Sequence, residues 1–260
     1  MKKYFISLAL LCACGALHAS EWGYAPNNGP SKWASLSPDY ATCKSGQSQS
    51  PIDITGKTIT QTENALALAF EDQAKDIVNN GHSVQVNFDN GAGGNVEFKG
   101  EEYTLTQLHF HTPSETHIKG QTFPMEMHLV SQNKEGKLLV TSLLFKEGKE
   151  NAALQSIIKN APKKKGETKP LGEIKLTELL PQNLGYYAFS GSLTTPPCSE
   201  NVQWVVLKTP VNASQRQIMA VRTIIHNDAR PLQPLNGRVI ESAEYVKDTM
   251  PQHYIESTEH

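Results

Sequence analysis

Two short stretches constrain this chain more than any other feature, because each alternates strictly between apolar and chemically active side chains. In Gln107-Leu108-His109-Phe110-His111, a strand places Gln107, His109 and His111 on one face and Leu108 and Phe110 on the other. Met125-Glu126-Met127-His128-Leu129 repeats the pattern, with Glu126 and His128 together and Met125, Met127 and Leu129 packed behind them. Three imidazoles from two neighbouring strands supply three neutral nitrogen ligands and leave the fourth tetrahedral position of zinc open, which is the arrangement of a catalytic site. A metal-bound imidazole needs its second nitrogen oriented, and Gln107 and Glu126 are of the right type to orient His109 and His128. His18, His117, His226, His253 and His260 have no such context and read as ordinary histidines.

Around these stretches, strand-like runs occur at 83–88, 95–98, 103–111, 123–131, 138–145, 186–189 and 202–207. Helical signals are fewer: 151–160, and 214–226 with Asn212 or Ser214 as cap. Residues 22–51 are dense in Gly, Pro, Ser and Asn, as expected of a segment that wraps a surface. No internal repeat or linker divides the chain. The expectation is one domain, mainly β with short flanking helices (α+β), around an antiparallel or mixed sheet.

Met1-Lys2-Lys3, the apolar run to Ala16 and the small residue Ala19 read as a secretory signal peptide over 1–19, leaving the domain at 20–260. The competing readings are a buried amino-terminal helix, and lipid attachment at Cys14. No later stretch approaches the ~20 apolar residues of a membrane helix, so the exported protein is expected to be free of the membrane, secreted and most simply periplasmic. Lys plus Arg at 24 against Asp plus Glu at 26 gives a net charge of −2, so no general attraction to nucleic acid or anionic lipid is expected. Lys163-Lys164-Lys165 reads as a solvated loop. Of four cysteines, Cys12 and Cys14 fall in the leader. Cys43 and Cys198 remain and are expected to pair in an oxidising compartment, with two unpaired buried thiols as the alternative.

Gln-x-His-x-His followed by Glu-x-His-Leu-Val resembles the zinc site of α-carbonic anhydrases. Trp22-Gly23-Tyr24, the segment 49–54 (QSPIDI), Asn80-Gly81-His82-Ser83, the segment 192–198 (SLTTPPC) and the segment 227–238 (NDARPLQPLNGR) also resemble family motifs, in family order and across most of the chain. The resemblance implies a largely antiparallel, twisted central sheet and reversible hydration of carbon dioxide to bicarbonate and a proton by a zinc-bound hydroxide. It implies His109, His111 and His128 as ligands of Zn2+. Thr194 matches the family's hydroxyl gatekeeper, donating to Glu115; Thr195 lines the substrate position. Val130, Val140, Leu193, Val202 and Trp204 match the apolar wall where carbon dioxide rests. His82 matches the proton-shuttle segment, with Tyr24 and Asn80 supporting the water chain. The implied partner is the small substrate alone, and a homodimer stays open.

One departure is visible: after His111 come Thr112-Pro113-Ser114-Glu115, where many animal members have Trp-Gly, which is similar to the bacterial branch. A catalytically inactive, carbonic-anhydrase-like binding module is the main rival, and retention of all three histidines with Thr194 and Glu115 weighs against it. A zinc carrier of unrelated fold would need a loop rich in His, Asp and Glu, which the chain lacks.

Overall fold

A computed structural model describes residues 21–56, 59–89 and 91–245. The expected leader with Cys12, Cys14 and His18 lies outside the described residues, as do His253 and His260. In chain order the strands are β1 (Asp53–Ile54), β2 (Ile59–Thr62), β3 (Leu66–Phe70), β4 (Gln73–Asn79), β5 (Val84–Asn87), β6 (Gly94–Phe98), β7 (Glu101–His111) and β8 (His117–Ile118). They continue with β9 (Met125–Gln132), β10 (Leu138–Glu147), β11 (Thr168–Glu173), β12 (Tyr186–Ser192), β13 (Glu200–Leu207), β14 (Val211–Ala213) and β15 (Ile240–Ala243). The helices are α1 (Trp33–Leu36), α2 (Thr42–Ser45), α3 (Ala152–Asn160) and α4 (Gln215–Ile225). Among the described residues no helix is long and apolar enough to cross a membrane.

One large mixed sheet runs in the order β11-β4-β5-β7-β9-β10-β13-β12-β15-β2, with β3 and β6 continuing from β7 and β14 beside β10. Its pairings are antiparallel except β10 with β13, β10 with β14 and β15 with β2. The expected mainly-β architecture with short flanking helices is therefore what the chain adopts. β9 and β10 are buried on both faces because they lie mid-sheet. On one face Met125, Met127, Leu129, Leu139, Leu143 and Phe145 join the larger core, covered by α3 and α4 through Leu154, Ile157, Ile218 and Val221. On the other face Val130, Val140, Leu144, Trp204 and Val206 build a second apolar cluster. The helices thus close the face opposite the histidines and leave the second face for the site.

All seven expected strands occur, most extended by one to three residues. Several others carry no pattern of their own. β11 is exposed along nearly its whole length and contains Pro170 and Gly172, so its place at the sheet edge rests on backbone pairing with β4 and not on apolar alternation. Asn151 caps α3, its side chain accepting from the Leu154 N–H. For α4 the cap is Ser214, in a reciprocal capping box with Gln217.

Candidate metal centre

The facing register of β7 and β9 sets His109 directly opposite His128, and His111 opposite Glu126. A β-bulge between Leu105 and Gln107 makes this arrangement. Before the bulge Tyr103 and Leu105 face the larger core; after it Leu108 and Phe110 do. The extra residue, Thr106, switches parity and turns Gln107, His109 and His111 together onto the opposite face. Its hydroxyl is anchored to the Val130 carbonyl at 2.9 Å.

The imidazole centroids lie 5.1, 5.2 and 4.7 Å apart, and one nitrogen from each ring falls within 4.8 Å of the others. Each ring is held from behind by a different partner. His109 Nδ1 is 2.8 Å from Gln107 Oε1, His128 Nε2 is 2.9 Å from Glu126 Oε1, and His111 Nδ1 is 3.2 Å from the Asp228 carbonyl. These contacts leave Nε2 of His109 and His111 and Nδ1 of His128 for an ion. The buried His111 Nε2 has no hydrogen-bond partner at all. Three neutral nitrogen donors with one coordination position to spare fit Zn2+.

The electrostatics differ from ring to ring. Burial, then the neighbouring His111 and His128, holds His109 well below the ordinary imidazole range, so it is neutral. Burial lowers His111 too, but the Glu115 and Asp228 carboxylates more than offset it and carry it up to about 10. A cation seated among the three nitrogens competes with that proton. Burial raises Glu126, yet His128 and its hydrogen bonds bring it down to about 2. Those bonds come from the N–H groups of Glu115 and Thr116 at 2.8 Å each, from Thr116 Oγ1 at 2.9 Å and from Ser142 Oγ at 2.5 Å. Glu126 is thus a fixed carboxylate that orients His128 and shapes the loop bearing Glu115.

Glu115 is 1% exposed. Its Oε1 accepts from the Arg230 backbone N–H at 2.8 Å; Oε2 has no hydrogen-bond partner and lies 3.5 Å from His111 Nε2. The expected donation from Thr194 to Glu115 is not made in this structure, because Oε1 is already engaged and Oε2 turns toward the imidazole. Thr194 itself is buried. Val130, Val140, Val202 and Trp204 share the second apolar cluster, with Leu193 packed against it. The Trp204 ring lies 4.9 Å from His128, which brings this cluster to the edge of the three-histidine group. Thr195 is half-buried, and its carbonyl accepts from the Cys198 N–H at 2.9 Å in the turn closed by the Cys43–Cys198 disulfide.

His82 precedes β5, in which Gln85 pairs with His109, and the adjacent Ser83 Oγ bonds the Phe110 carbonyl at 2.5 Å. The His82 ring is half-buried and stacks on Trp22 at 3.8 Å, with 13° between planes. Burial, then the charge of Lys165, lowers its pKa, with Glu21 opposing. Lys165 therefore does more than solvate a loop. Its side chain lies over Gly81, whose φ is +88° and where a Cβ would come within 2.5 Å of Lys165 Cε. Asn80 braces the turn, since Oδ1 accepts from the N–H groups of His82 at 2.9 Å and Ser83 at 2.7 Å. Tyr24 packs edge-on against Trp22 and Trp33; burial, then the charges of Glu115 and Asp228, pushes its hydroxyl well above the ordinary range.

Asp228 and Arg230 lie inside the segment 227–238, yet two of their contacts here, the Asp228 carbonyl on His111 and the Arg230 N–H on Glu115, are invisible in sequence because they use the backbone, which any residue type possesses.

Comparisons with known proteins agree with this geometry. The family model described as eukaryotic-type carbonic anhydrase matches residues 28–244. A carbonic anhydrase of Pectobacterium atrosepticum is 42% identical over 245 residues, spanning 92% of this chain and 99% of that protein. One from Neisseria gonorrhoeae is 40% identical over 242 residues, spanning 90% and 95%. Among solved structures, the α-carbonic anhydrase of Thermovibrio ammonificans in complex with the inhibitor sulfanilamide superposes with a TM-score of 0.82. It is 40% identical and covers 85% of this chain and 98% of that one.

Proposed function

Because the chain belongs to the eukaryotic-type, or α, carbonic anhydrase family, lyases that hydrate carbon dioxide, we propose that it does so with a zinc ion held by His109, His111 and His128. The observation that carries this reading is the set of three inward-turned imidazole nitrogens, each fixed from behind and one left without any partner. A zinc ion so held is a Lewis acid that lowers the pKa of its water to about 7, as is established for carbonic anhydrases at large.

The chain's own residues do the rest. Gln107, Glu126 and the Asp228 carbonyl fix the ligand tautomers. Thr194 supplies the hydroxyl that orients the attacking oxygen, and Glu115 Oε2, buried and free of donors, is the acceptor for that hydroxyl. Val130, Val140, Leu193, Val202 and Trp204, with Thr195 at the margin, give an apolar resting place from which water is excluded and where carbon dioxide needs no polar partner. His82 accepts the proton released in each cycle and passes it to solvent, with Tyr24 and Asn80 beside the path, and bicarbonate is the product. An imidazole is suited to both halves of that transfer because its ordinary pKa lies near neutrality, and burial with the charge of Lys165 lowers that of His82. A leader over 1–19 and export to the periplasm fit the Cys43–Cys198 disulfide.

Purified protein should hold about one zinc per chain and hydrate carbon dioxide, and chelation should abolish activity until zinc is restored. His128→Ala should lose metal and activity together. Full zinc without hydration would favour an inactive binding module instead.

A further inference from the structure

We propose that Arg230 is a positioning residue for the carbon dioxide step, holding Glu115 and the loop that carries Thr194 in fixed relation to one another. This rests on the carbonic anhydrase reading above, and it concerns the guanidinium, which nothing in that reading uses. Arg230 is 3% exposed, and its side chain donates to the Ser50 carbonyl at 2.7 Å, the Cys43 carbonyl at 2.9 Å and Gln49 Oε1 at 2.9 Å. All three acceptors are neutral. The guanidinium also lies over the Trp33 ring at 5.6 Å. A buried charge with no carboxylate hydrogen-bonded to it is costly, and the nearby Glu115 charge offsets only part of that burial. Burial draws its pKa down only to about 10, so the cation persists at neutral pH.

What this buried cation holds explains its presence. Its three acceptors belong to the strap 43–50, and that strap is fastened to the loop bearing Thr194 at three points: the Cys43–Cys198 disulfide, Gln49 Nε2 to the Cys198 carbonyl at 3.0 Å, and reciprocal bonds between Ser50 and Ser192 at 2.9 and 3.1 Å. The backbone N–H of the same Arg230 occupies Glu115 Oε1. Arg230 therefore fixes which Glu115 oxygen stays free and, through its side chain, where the Thr194 loop stands relative to it. A displacement of an ångström between groups that must act together can cost on the order of a hundredfold in rate.

The test uses the full zinc-loaded chain with Arg230→Met and Arg230→Lys, reading zinc content, unfolding midpoint, and kcat/KM separately from buffer-limited kcat. Both variants should retain zinc while kcat/KM falls by roughly ten- to a hundredfold, and the His82-dependent kcat should fall less. Lysine should recover little, since an ammonium cannot span three forked acceptors. Paired with Glu115→Gln, the loss from the arginine variants should be strongly non-additive. Unchanged kcat/KM, losses that track zinc content, or strict additivity with Glu115→Gln would each overturn the assignment. If Arg230→Met does not fold, the lysine variant and its cycle decide. A wild type without hydratase activity would sink the functional reading; an active wild type with unaffected arginine variants sinks only this one.

Discussion

His82 shows how little of a side chain's role is set by its own identity. Trp22 stacks on the ring, Lys165 closes over Gly81, and Asn80 fixes the backbone, so the imidazole is presented in one orientation. His82→Ala should lower turnover in dilute buffer by up to roughly a hundredfold while zinc content and kcat/KM hold. Added imidazole should restore much of the loss, and an unaffected mutant would end the shuttle assignment. Glu200 sets a second expectation. Burial raises its carboxyl, but Gln49 Nε2 at 3.0 Å, the Ser48 N–H at 2.6 Å and the charge of Arg238 leave it below the ordinary range. A depressed folded-state pKa gives stability that is present above the unfolded value of about 4.3 and lost as pH falls through the folded one. The stability difference between wild type and Glu200→Gln in urea titrations should therefore be largest near neutrality and shrink on acidification below pH ~4. At this scale the sequence exposed residue types, so Gln107, Glu126 and the three histidines were legible. The Asp228 carbonyl was not, because a backbone acceptor leaves no mark in residue identity.

Among the elements, β7 matters most. The slip from apolar 103 and 105 to apolar 108 and 110 is written in the sequence and marks the bulge, but only pairing with β9 shows that one extra residue turns both histidines from core to site. α4 packs Ile218, Val221 and Ile225 on the far core face. Its capping box ties Ser214 to Gln217, and Gln217 reaches on to the Asn151 backbone through Oε1 at 3.0 Å and Nε2 at 2.7 Å. Ser214→Ala should cost about 1 kcal/mol in chemical unfolding without changing zinc content or hydration, since the helix lies behind the sheet. A loss of activity would mean that α4 reaches the site. α3 and α4 were legible from caps and periodicity. β11 was not, because an exposed edge strand needs no apolar alternation once a neighbour supplies its hydrogen bonds.

For the whole molecule, the Cys43–Cys198 link closes a loop of sequence separation 155 between the irregular amino-terminal segment and the turn after Thr194, with Cα atoms 5.0 Å apart. Chain-entropy reasoning gives it a ceiling of about 5 kcal/mol. Reduction, or Cys43→Ser with Cys198→Ser, should lower the unfolding midpoint and, because Thr194 sits on the tethered loop, lower kcat/KM before zinc is lost; thiol titration alongside activity checks both. The sequence by itself determined the strands that bear histidine, the apolar backing of each, the helices α3 and α4 and the cysteines available to pair, because all of these follow from residue type and local period. Tertiary structure decided the rest: that β10 joins β13 in parallel, that the five wall residues gather in one cluster beside His128, and that Arg230 meets Glu115 across 115 positions of chain. Such contacts form between segments remote in sequence, where local propensity carries no information, and they persist because burial leaves each polar group in need of a partner.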